Sequence, residues 1–426
     1  MLRIFYILLI LLNLHKEHLV FADDALDIIQ LINRDKNIKA AAEFLNVEFI
    51  PSIITRKDVE EYINRNRKDN LPINISDDLT TNLSGLDLSG LNFSNSKMLK
   101  VKLINSNLSD VNFTDTYMEE VNLFGANASR VNFTNASIAA SNFEKANLTN
   151  AIFNNTYAEE VIFKNSNLEN ALITSSNLNL ADFSGANLSN LKVTFSSAIN
   201  ANFANSTAKN IGLTQSNLTK ADLSNVSWSN ANLESTTLSE ANLSGASLIK
   251  ANLFAIIAFK ANMENINMRD AYAEASELNY SKMKNANMQG VVLNNAFCRY
   301  CDLSNSNLSR SVLSYSDFSY ANLNNIILSS SILLEVMMVE AKISQATIDR
   351  SFFRGANLSF TDFSGSSISE SNFDKSNFRA IKFLNAKLTN NTFDKVIGIS
   401  QNDVDQLLKQ TINDRVDTID EEKTTK

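Results

Sequence analysis

The sequence predicts an all-β solenoid, and two observations carry that prediction. From Thr81 to Phe393 the chain repeats every five residues without a slip. Examples are Ala146-Asn147-Leu148-Thr149-Asn150, Ala186-Asn187-Leu188-Ser189-Asn190 and Ala251-Asn252-Leu253-Phe254-Ala255. Stepping by five from Leu83 to Phe393 gives 63 centres, every one apolar, including one Trp (Trp228) and one Cys (Cys298). A period of five fits neither a strand nor a helix, and a fixed internal repeat is the signature of a stacked solenoid. The second observation is the residue two before each centre, mostly Ala, Ser, Thr or Val, as at Ala126, Val131, Ala136 and Ser141. Residues two apart in an extended segment point to one side, so the large and the small residue share an interior. The other three positions are mainly Asn, Ser, Asp, Lys and Glu, which face water and accept tight turns.

The motif Ala-(Asp/Asn)-Leu-X-X resembles that of the pentapeptide-repeat family, and the resemblance covers about three-quarters of the chain. It implies a right-handed quadrilateral β-helix, with four pentapeptides per square coil of 20 residues and the centres stacked inside. Here Asn is commoner than Asp after the small residue, and Ser or Val often replaces Ala. Neither change threatens such a fold. A 20-residue coil puts Phe93, Phe113, Phe133 and Phe153 in one ladder, Phe143, Phe163, Phe183 and Phe203 in another, and Leu148, Leu168 and Leu188 in a third. Like-on-like stacking suits a solenoid in which each coil touches only its neighbours. The 63 units make about 16 coils, a rod on the order of 75 Å long at the usual strand spacing.

The ends differ from the repeat. Residues 1–22 read as a secretory signal peptide: Arg3, an apolar core from Ile4 to Leu14, and Val20-Phe21-Ala22 before the cut. No other stretch is long enough to span a membrane. Residues 23–80 read as a helical N-terminal cap, with helical spacing in Ala25–Ile32, a second short helix in Ala40–Phe49, and Thr55 capping a helix Arg56–Arg65 with Asp58 three residues on. A β-helix has an open end to cover, which favours a cap over a separate binding domain. The repeat occupies 81–396. Residues 397–426 read as a C-terminal capping helix, Asp403 to about Ile412, started by Ser400 or Asn402 and burying Val404, Leu407 and Leu408, followed by a polar tail. The resemblance adds that family members often carry such a capping helix, which can also be a dimer contact.

Composition argues against most chemistry. Both histidines, His15 and His18, fall in the signal peptide, which leaves no histidine for a triad or a metal site. Glu119-Glu120 and Glu159-Glu160 are paired carboxylates, but the repeat turns them outward on a convex face with no pocket to line. Cys298-Arg299-Tyr300-Cys301 is a CxxC. The register turns both cysteines inward, as core thiols, a disulfide across one corner or, least in keeping with the register, a catalytic pair. The expectation is no enzyme, no cofactor and no metal.

Charge bears on the family's best-known activity. Some pentapeptide-repeat proteins resemble DNA in shape and charge and bind DNA gyrase, which requires an acidic rod. Residues 81–396 hold 24 Lys and Arg against 26 Asp and Glu, so the rod is nearly neutral and the acidity lies in the ends. With interspersed signs it is no nucleic-acid binder either.

One outward ladder is apolar: Tyr272, Val292, Val312, Ile332 and Phe352, each 20 apart, with Asn252 and Asn372 beyond its ends. Around Ile332 the outward Ile327, Leu334, Met337 and Val339 are apolar too, and Phe297 lies near the same corner. A contiguous apolar patch marks an interaction site, although β-branched residues suit any strand surface. Its occupant would be a second copy, another protein or a membrane surface. A second ladder, Asn107, Asn127, Asn147, Asn167 and Asn187, reads as structural, its amides bonding along the rod. Many Asn-X-Ser/Thr sequons follow from the repeat and point to a bacterial protein. The sequence therefore reads as an exported, periplasmic or secreted, non-enzymatic scaffold that binds a protein partner or itself. A cytoplasmic gyrase-binding DNA mimic is the alternative, and an enzyme of unknown type comes third.

Overall fold

A computed structural model describes residues 54–69, 71–407 and 409. The expected signal peptide and the expected helices in 25–32 and 40–49 lie outside the described residues, as do position 408 and the tail from 410. The repeat forms a right-handed quadrilateral β-helix of about 16 coils. Parallel bridges join positions 20 apart along the rod, from Asn82 with Lys102 to Asn377 with Ile397. Each pentapeptide is one side of the square. Short three-residue strands such as Ile152–Asn154, Leu172–Thr174 and Lys192–Thr194 pair in the same register.

Each of the five positions has a physical task. The centres are buried almost throughout, and the small residues two before them pack into the same core. The expected Phe ladders stack. Ring centroids are 5.3 Å apart for Phe93 with Phe113, and 4.8 Å for Phe183 with Phe203. Where Ser or Thr replaces Ala, most of the hydroxyls bond a backbone carbonyl, as Ser331 Oγ to Leu308 O of the coil before at 2.7 Å, while Ser96 and Ser311 lack such a partner. Such a bond satisfies the buried polar group and explains why Ala, Ser and Thr interchange there. Asn or Asp before the centre accepts the N–H two residues on, as Asn112 Oδ1 does from Thr114 N at 3.0 Å. These amides also bond up the rod: Asn127 Nδ2 donates to Asn107 Oδ1 and Asn147 Nδ2 to Asn127 Oδ1, each at 3.0 Å. Two residues after each centre the backbone turns the corner with positive φ, for example +57° at Asn135 and +68° at Gly245. Asn and Gly tolerate that conformation best, which accounts for their recurrence there.

Helix α1 (Arg56–Lys68) lies against the first coil. Thr55 and Asp58 form its capping box, and the helix runs three residues past the expected Arg65. Val59, Tyr62 and Ile63 join the rod's core. Two arginines stand in for missing strands. Along the rod, carbonyls such as Asn112 O and Thr114 O accept from Phe93 N and Asn95 N of the coil before. In the first coil the side at Ser96–Lys97 pairs with the preceding strand Ile73–Asn74, but the sides at 86–90 and 91–95 have no such strand among the described residues. Arg67 Nη2 instead donates to Asn92 O at 2.9 Å and Ser94 O at 3.0 Å. Arg56 donates to Asp87 O at 3.0 Å and Ser89 O at 2.9 Å. At the far end a helix begins at 401, two residues before the expected start. Ser400, not Asn402, meets its first turn: Ser400 Oγ donates to Asp403 Oδ2 at 2.6 Å and accepts from Asp403 N at 3.2 Å. Val404 is buried against the core and Leu407 packs beside it.

Candidate protein-interaction surface

The apolar ladder exists and occupies one side of the square. Bridges run Asn252, Tyr272, Val292, Val312, Ile332, Phe352, Asn372 in unbroken sequence. Tyr272, Ile332 and Phe352 are exposed, while Val292 and Val312 are half-buried between neighbours. Leu334 lies on the same side, also half-buried. The other residues read as part of one patch fall on different sides. A corner at Ser330 separates Ile327 from Ile332, and a corner at Glu335 separates Met337 and Val339 from it. Phe297 shares the side of Met337. The apolar surface therefore wraps an edge of the rod instead of lying flat.

Sequence reasoning missed the part beyond the next corner. Tyr280, Tyr300 and Tyr320 stand two residues after their centres in three successive coils. Their rings stack with centroids 4.9 and 4.7 Å apart. Phe259 meets Tyr280 edge-on at 5.5 Å, and the Arg299 guanidinium sits 5.7 Å over the Tyr320 ring. Further along the same corner line Phe360 carries Arg379 at 5.4 Å. The Tyr rings cover one another's faces, so the row offers solvent its edges and hydroxyls. All three Tyr have φ between +58° and +64°, and Tyr315 and Phe360 match them. A bulky residue in that region costs about 1–2 kcal/mol relative to an ordinary conformation. The signal was in the sequence: the same 20-residue spacing, at corner positions instead of those before the centres.

Among the described residues 21 large apolar side chains are exposed, and 13 of them lie between Ile257 and Phe360. That stretch is about five coils of 16, so the exposure is concentrated, and most of it falls on the ladder side and the side after it. Polar groups are interspersed. Tyr272 Oη donates to Glu274 Oε2 at 2.6 Å, and that hydrogen bond, with partial desolvation and the nearby charge, holds the phenol above its usual range. Arg299 pairs with Asp317 at 3.7 Å. A shallow depression of about 440 Å³ opens at the Tyr272 end, lined by Glu234, Lys250, Asn252, Phe254 and Asp270.

Cys298 and Cys301 are joined as a disulfide across one corner, with both residues buried. Among the described residues no cluster of three His, Cys, Asp or Glu is placed to hold a metal, and no helix is long and apolar enough to cross a membrane. Glu119 and Glu159 lie outward, within reach of the Tyr117 and Tyr157 hydroxyls, whose ionisation they oppose chiefly through hydrogen bonds.

The family model described as pentapeptide repeats matches residues 81–115, 116–155, 151–190, 216–253, 292–329 and 338–374. A search of curated proteins gives no match. Among solved structures, a pentapeptide repeat protein from the cyanobacterium Cyanothece 51142 is 23% identical over 21% of this chain and 63% of its own, with a TM-score of 0.21. QnrB1, a plasmid-mediated fluoroquinolone resistance protein, is 14% identical over 61% of this chain and 97% of its own, with a TM-score of 0.16. The A-module of the Azotobacter vinelandii mannuronan C-5 epimerase AlgE4 is 9% identical over 66% of this chain and 90% of its own, with a TM-score of 0.21. Likeness at this level says nothing about activity.

Proposed function

Since the chain belongs to the pentapeptide-repeat family, we propose that it is an exported, non-enzymatic scaffold that binds a protein partner through the rod edge built by residues 257–360. One observation carries the reading: 13 of the 21 exposed large apolar side chains among the described residues gather in those five coils. Export rests on Arg3, the apolar run Ile4–Leu14 and the small residues around Ala22. The rod's near-neutral charge gives a DNA mimic no acidic surface.

The test uses the full chain in its own cell. Ile332→Asn with Phe352→Asn places the family's usual residue at each position, so the far-UV circular dichroism and melting of the rod should not change. The doubly substituted protein should lose the partner that the unaltered chain carries through purification. Undiminished binding would remove this surface from consideration. Mass spectrometry of the native protein should find an N-terminus near Asp23, and an intact Met1 in the cytoplasm would sink the export half of the proposal.

A further inference from the structure

We propose that the ladder side takes a second copy of this chain, packed antiparallel about a twofold axis through the coil of Val312. This rests on the reading above and names the partner of one side of that edge.

The ladder is a palindrome of side-chain class. Reading up the rod it runs Asn252, Tyr272, Val292, Val312, Ile332, Phe352, Asn372. An antiparallel twofold maps the coil above Val312 onto the coil below it in the partner. It therefore sets Tyr272 against Phe352, Val292 against Ile332, and Val312 against itself. Aromatic rings meet at both ends, and β-branched side chains meet in the middle. Phe352 of one copy arrives beside the depression next to Tyr272 in the other.

The charges bordering the strip obey the same operation. Glu274 and Arg354 lie on one border, two coils below and two coils above the axis. Asp270 and Arg350 occupy the equivalent places on the other border. The twofold brings Glu274 to Arg354 twice, and on the other border it sets the Arg269–Asp270 ion pair, 3.5 Å apart, against the partner's Asp349–Arg350 pair, 2.8 Å apart, with opposite charges facing. A parallel arrangement would give neither match, because it sets each coil against itself. Arg310 meets its own copy on one border, the unfavourable pair in the set. The strip is only one side of the square wide, so the dimer belongs at the small end of interface sizes.

Sedimentation velocity on the full chain over a concentration series tests this, with circular dichroism to confirm that each variant keeps the rod. The unaltered chain should pass from monomer to dimer. Glu274→Arg alone, or Arg354→Glu alone, sets like charges together twice and should weaken association by about tenfold or more. The two swaps together should restore it. A chain that stays monomeric throughout overturns the inference and leaves a different protein as the partner. Self-association that survives Ile332→Asn with Phe352→Asn puts the contact elsewhere and removes the inference, while partner binding is scored separately in the purification experiment. Association lost in the single swaps but not rescued in the double overturns the antiparallel register.

Discussion

Arg67 stands in for a strand that the side at 91–95 lacks among the described residues, and its removal should be felt locally. Its Nη2 donates to Asn92 O, Ser94 O and Ser94 Oγ at 2.9, 3.0 and 3.2 Å. A hydrogen bond from a charged donor is worth about 1.5–3 kcal/mol. These three share one nitrogen, and water can replace it at the rim, so Arg67→Ala should cost about 2 kcal/mol in total. A solenoid's stability is a sum of nearest-neighbour terms, so the cost should stay in the first coils. About 2 kcal/mol corresponds to roughly 30-fold faster exchange. Hydrogen exchange read by mass spectrometry should show that acceleration over residues 81–100. Peptides beyond Leu213 should exchange as before. Arg67→Lys supplies donors without the planar fork and should fall between. Unchanged exchange over 81–100 would refute the idea that Arg67 closes the rod, and uniform acceleration along its length would refute the nearest-neighbour account.

Three further outcomes follow from the core and the cap. Phe183 stacks between Phe163 and Phe203 at 4.9 and 4.8 Å. Phe183→Ala should therefore cost about 3–5 kcal/mol in urea unfolding, and a loss below about 1 kcal/mol would contradict the ladder's role. Trp228, the single Trp, donates from Nε1 to the buried Ser206 Oγ at 3.1 Å. Ser206→Ala leaves that donor unpaired and should destabilise by about 1–3 kcal/mol, followed through Trp228 fluorescence. Tyr62, on the buried face of α1, has its phenol pushed up to about 12, chiefly by desolvation. The folded state holds that proton more tightly than the unfolded chain does. The contribution is thus full below pH 10 and lost as pH rises through about 12, at most about 2.7 kcal/mol. In Tyr62→Phe this part of the alkaline slope should disappear from stability measured across pH 9–12.

The repeat was legible because one period fixes burial, register and stacking together. Once Leu83 sets the phase, Phe93 must lie under Phe113, and Tyr272 must share a line with Phe352. What escaped depends on geometry across the chain. Arg56 and Arg67 meet carbonyls 25 to 33 residues away, and their targets follow from how α1 lies against the coil, which no local pattern states. The Tyr280–Tyr320 row sits at corners, positions read as polar turn residues (mainly Asn, Ser, Asp, Lys and Glu), so an aromatic line there does not follow from the pattern of the repeat. Treating Ile327, Ile332 and Met337 as one patch ignored the corners at Ser330 and Glu335, which turn the three residues in different directions. The Cys298–Cys301 bond depended on how sharply one corner turns, whereas the inward direction of both cysteines was already fixed by the phase.

The central claim is that one edge of the rod is the contact surface and the opposite sides are not. A photo-crosslinking residue placed at Ile332, in the native cell, should join the rod to a protein. The same residue at Asn322, two sides round the square on the polar surface, should leave the rod uncrosslinked. The Ile332 adduct should vanish when Phe352→Asn and Tyr272→Asn are added. Equal crosslinking from Ile332 and Asn322, or an adduct indifferent to those substitutions, would contradict the account.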